Sequence, residues 1–124
     1  MRKKVGIGLV ALAISMVVTP GSAQTAVPAA PPAFASCRAC HSVQPGGKSG
    51  IGPNLKGVVG RTAGTLPGFN YSPAVKASKL TLDEKALDEY LAAPTRKIPG
   101  SRMPIATPDA TKRAAIIAYL KSVK

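Results

Sequence analysis

The chain has 124 residues, 17 of them basic and 5 acidic, for a formal net charge of +12. That length allows one small domain, and three tyrosines, two phenylalanines and no tryptophan are few for a self-sufficient core, so a staple or a bound group is expected to supply the missing bulk. The charge calls for an anionic partner, but with no aromatic or arginine cluster on which bases could stack, nucleic acid is excluded.

Met1-Arg2-Lys3-Lys4 is a basic head, Val5 to Val18 carry no charge and a single hydroxyl, and Thr19 to Ala23 are small-residue exit positions. This order reads as a secretory signal peptide, residues 1–23, cut after Ala23. A retained anchor is the alternative, although a spanning helix needs roughly 20 apolar residues. The mature chain, Gln24 to Lys124, keeps a charge near +9. Its first nine residues, "QTAVPAAPP" (24–32), read as a flexible or extended leader. A domain then runs over 33–124.

The first predicted helix starts at Ala33, passes through Cys37 and Cys40 to about Val43, and stops at Pro45-Gly46-Gly47. Gly46 to Gly68 holds eight glycines and two prolines and reads as ordered loop. Ser72-Pro73 offers a cap followed by proline at the first helical position, opening a short helix toward Ser78. Thr81-Leu82-Asp83-Glu84 matches a capping box ahead of a helix with Leu87, Tyr90 and Leu91 on one face, ended by Pro94. Pro94 to Pro108, with four prolines in fifteen residues, reads as a constrained loop with no regular helix. Thr107-Pro108-Asp109 opens the last helix, striped by Ile116, Tyr119, Leu120 and Val123. The fold class is all-α, three to four short helices with ordered loops.

Both cysteines and the only histidine fall in "CRACH", Cys37 to His41. On a helical turn, positions three and four apart face one side. C-x-x-C-H is the attachment pattern of haem c, with thiols for the two vinyl groups and an imidazole for the iron. Three other readings compete. A thiol–disulfide oxidoreductase should sit beside a βαβ pattern, which is missing. A zinc site needs a fourth ligand, and no further Cys or His exists. A plain disulfide leaves His41 unexplained. With Met1 and Met16 in the signal, Met103 is the sole methionine of the mature chain and the candidate second axial ligand. Filling a gap in the core is methionine's ordinary use, but Met103 stands in a proline-held loop.

"CRACH", "GPNLKGVVGR" (52–61), "GFNYSPAVKAS" (68–78), "LDEYLAAP" (87–94) and "IPGSRM" (98–103) come in the order and spacing of class I cytochromes c, which the chain resembles from about Phe34 to Lys121. The resemblance implies one covalent haem c whose iron is bound by His41 and Met103. It also implies a Pro53 carbonyl accepting from His41, haem propionates bonded by Arg61, Tyr71 and Ser101, and Tyr90 beside the ligand methionine. Gly52 would let backbone approach the haem. Departures accompany it. Leu82 replaces the usual tryptophan, and Pro31-Pro32 shorten the first helix. Phe34 lies one residue nearer Cys37 than the packing aromatic of the family, predicting weaker contact between the first and last helices. Ser36, Gly50 and Thr95 replace basic residues of the haem edge, while Lys48, Lys56, Lys97 and Arg102 remain.

The function expected is that of an exported, periplasmic, monomeric electron carrier with both axial positions filled, not an enzyme. Its partners would be redox proteins with acidic docking surfaces, such as respiratory complexes or dehydrogenases, with peripheral contact at an anionic membrane surface as a further option. A haem enzyme or gas sensor in which Met103 detaches is the competing class.

Overall fold

The computed structural model describes residues 6, 15–17, 21 and 26–124. The predicted signal peptide lies almost wholly outside them. Four α-helices follow in order: α1 (Pro73–Ser78), α2 (Glu84–Ala92), α3 (Pro94–Lys97) and α4 (Ala110–Ser122). Two 3-10 turns, Pro32–Phe34 and Cys37–Ala39, precede them. Among the described residues the sole β pairing is an isolated antiparallel bridge between Thr62 and Thr81.

The first predicted helix is not a continuous α-helix. Its bonds are mostly tightened: Phe34 N–H to Pro31 O, Ala35 N–H to Pro32 O and Cys40 N–H to Cys37 O, with one four-residue bond, His41 N–H to Cys37 O at 2.9 Å. A stretch this short adds too few bonds to offset nucleation, so the chain keeps helical turns without propagating them. It also ends at Ala39, with Cys40 as its cap, instead of at Val43.

Capping chemistry sets the other helices. Ser72 Oγ accepts from Val75 N–H at 3.3 Å and starts α1. The start of α2 falls later than the capping box predicts: Asp83 is the cap, accepting from Ala86 N–H at 2.7 Å. The reason is tertiary. Thr81 is in the bridge, Leu82 N–H donates to Arg61 O and Leu82 O accepts from Gly60 N–H, so residues 81–82 are held extended. The expectation of no helix beyond Pro94 is also corrected. Pro94 takes the first position of α3, where its missing N–H costs nothing, and Lys97 and Ile98 bond back to Ala93 O and Pro94 O. Asp109 caps α4 through Lys112 N–H at 3.0 Å.

α4 packs on α2 and on the Pro32–Phe34 turn, and α2 packs on α3. Phe34, Leu87, Leu91, Ile116, Ile117, Tyr119, Leu120 and Val123 form the core with Val43 and Val58 from the loops. Phe34 is only 1% exposed, and its ring lies 4.8 Å from that of Tyr119. The proline-tightened turn delivers the ring to α4 despite its register. Val27 and Ala30, within the segment read as leader, are partly buried against the same core.

Candidate haem site

One apolar cleft, open at its mouth, lies between the 3-10 turns, the glycine-rich loops, α2 and the 98–105 segment. Cys37, Cys40, His41, Pro53, Arg61, Tyr71, Tyr90, Ser101 and Met103 all line it. Residues up to 66 positions apart in sequence thus share one wall system.

The four-residue bond from His41 to Cys37 keeps imidazole and thiols on one side of the turn. Both cysteines are free and half-buried, and burial pushes the Cys37 thiol up. His41 Nδ1 lies 2.7 Å from Pro53 O. A carbonyl can only accept, so Nδ1 carries the proton and Nε2 keeps its lone pair. Burial, which disfavours the charged ring, holds the imidazole below its ordinary value and so neutral, against the upward pull of the Pro53 bond. Gly52 lines the cleft, and a Cβ there would overlap the His41 ring, so this glycine also makes room for the imidazole.

On the methionine side, Tyr90 Oη and Ser101 Oγ are 2.5 Å apart, and Met103 N–H donates to Ser101 Oγ at 3.4 Å. Sequence reasoning assigned Tyr90 to the methionine and Ser101 to a propionate; the structure joins the two. Burial raises the Tyr90 phenol above its ordinary value, partly offset by the Ser101 bond, so it keeps its proton. Arg61 bonds Asn54 O at 3.0 Å and Lys56 O at 3.4 Å, and a guanidinium has five N–H groups, so donors remain. Tyr71 stacks edge-on against Phe69, and Leu82 lines the cleft in place of a tryptophan. Of the remaining basic residues, Lys97 is paired with Glu89, Lys56 is half-buried, and Lys48 and Arg102 are exposed. Among the described residues no three His, Cys, Asp or Glu side chains converge as a metal cluster.

Sequence reasoning missed Asn54. It is 7% exposed, and its amide bonds Gln44 O, Gly47 O and Lys56 N–H. An asparagine in a glycine-rich loop looks like any turn residue, so nothing local marks it.

The family described as Cytochrome c matches residues 31–124. The chain belongs to the cytochrome c family. It is 54% identical over 95 residues to cytochrome c2 iso-2 of Magnetospirillum fulvum, covering 76% of this chain and 98% of that protein. It is 44% identical over 122 residues to cytochrome c2 of Blastochloris viridis, covering 98% and 93%. Among solved structures, cytochrome cH from Methylobacterium extorquens superposes with a TM-score of 0.67 at 47% identity, covering 72% of this chain and 90% of that one. This cytochrome is accordingly an all-α haem c protein that carries electrons between redox proteins and is not an enzyme. Its residues suit the group: an apolar cleft, two free thiols at the attachment spacing, an imidazole held neutral with Nε2 unprotonated, and a thioether in one cavity.

Proposed function

We propose that this cytochrome works in the periplasm as a monomer of residues 24–124, with haem bonded through Cys37 and Cys40 and its iron bound by His41 and Met103. When bound, the haem supplies a one-electron ferric–ferrous couple. The observation that carries the reading is the His41–Pro53 bond, which fixes the imidazole tautomer inside the cleft that also holds both thiols and the thioether. Pro53 makes His41 a stronger donor by drawing on its Nδ1 proton. A soft thioether from Met103 favours the ferrous state and raises the potential. Arg61, Tyr71 and Ser101 offer donors to the propionates, and Tyr90 orders the methionine loop through Ser101.

Export is supported by the basic head and apolar run. The surplus of cations supports brief docking to acidic faces on respiratory complexes or dehydrogenases, or to an anionic membrane surface. Met103→Ala tests the axial assignment. The potential should fall and the ferrous protein should bind carbon monoxide, read by voltammetry and visible absorption; unchanged values would remove Met103 from the site.

A further inference from the structure

Pro53 O and Asn54 N–H belong to one planar peptide group, and both ends of that plane are held. The oxygen accepts from His41 Nδ1 at 2.7 Å, and the N–H donates to Ser49 Oγ at 3.0 Å. The plane cannot rotate about its flanking bonds without breaking both contacts. Asn54 fixes the next link as well. Its Nδ2 donates to Gln44 O at 3.0 Å and Gly47 O at 2.9 Å, its Oδ1 accepts from Lys56 N–H at 2.8 Å, and its own carbonyl accepts from Arg61 at 3.0 Å. Every polar group of this buried residue is thus used, reaching into 44–49 on one side and 56–61 on the other.

We propose that Ser49 and Asn54 are positioning residues for the axial imidazole: they set the orientation of the 53–54 peptide, and through its carbonyl the donor strength of His41. The proposal rests on His41 being an iron ligand. Loosening the plane weakens the bond to Nδ1–H, makes the imidazole a poorer donor and favours ferrous iron.

The test uses purified haem-loaded protein as wild type, Ser49→Ala, Ser49→Thr and Asn54→Asp. Ser49→Ala should raise the reduction potential and speed exchange of the His41 Nδ1 proton on the order of tenfold, as loss of one hydrogen bond allows, while Ser49→Thr restores both. Asn54→Asp loses both Nδ2 donors but adds an anion that itself favours ferric iron, so it is read by the Nδ1 proton exchange, which should speed as in Ser49→Ala; if it gives no folded protein, Ser49→Ala decides alone. Unchanged potential and exchange, with only the denaturant midpoint lowered, would overturn the proposal and leave Ser49 as loop packing. The ligand reading is checked separately in wild type: His41 ring protons without the paramagnetic shift of a ferric ligand would sink that reading before any variant is compared.

Discussion

All five acidic residues of the chain lie between Asp83 and Asp109, and none precedes them. The C-terminal region, 83–124, holds three of the four α-helices, stitched by charge. Asp88 pairs with Arg113, Glu84 with Lys121 and Glu89 with Lys97, while Asp83 and Asp109 cap α2 and α4. Residues 26–82 contain one six-residue helix and no carboxylate side chain, and their loops are tied by Asn54 and Arg61 bonding backbone carbonyls. Side-chain amides and guanidinium groups replace the helical ladder where the backbone must bend around a cleft. Every acid in the helical region has a partner, a cation for Glu84, Asp88 and Glu89 and a backbone N–H for Asp83 and Asp109.

Phe34 is the joint between the regions, and breaking it should cost most. Phe34→Ala should destabilise the protein by about 3–5 kcal/mol in a urea titration, because the ring fills the contact with Tyr119 that no loop can reach to close. Next is Gly52→Ala, confined to the loop region. Its Cβ meets the imidazole, so about 1–3 kcal/mol of stability should go together with a fall in the yield of low-spin, haem-loaded protein. Gly64 sharpens the same point. At φ +78°, a Cβ would stand 2.9 Å from Lys76 Cα, so Gly64→Ala should lower the melting temperature without altering the visible spectrum. In the helical region, Asp83→Ala should cost about 0.5–2 kcal/mol of stability by equilibrium unfolding, with the spectrum unmoved.

The smallest effect separates the regions by pH. Asp109 is held below its ordinary carboxylate value by the Lys112 backbone N–H, and Glu89 by its bond to Lys97. A group lowered in the folded state contributes its full stabilisation above its unfolded value and loses it as pH falls through the folded one. Melting temperature should therefore decline on the acid side of about pH 4. Asp109→Asn, which keeps the cap oxygen but cannot titrate, should flatten that limb. Loop variants such as Ser49→Ala should leave its slope unchanged, since no side-chain carboxylate lies in their region.

The haem-attachment motif, the all-α class, the α1 start at Ser72-Pro73 and the Asp109 cap of α4 were legible from the chain because each depends on bonds among residues a few positions apart. Spacing alone brings Cys37, Cys40 and His41 to one side of a turn. Folding settled the rest. It moved the α2 cap from Thr81 to Asp83 by pairing residues 81–82 with the 60–62 loop, seated Phe34 on α4 despite its register, set Gly52 against the imidazole and made Asn54 the buried hub of the loops. Those outcomes depend on groups far apart in sequence competing for the same space and the same hydrogen bonds, a competition resolved only when the whole chain packs.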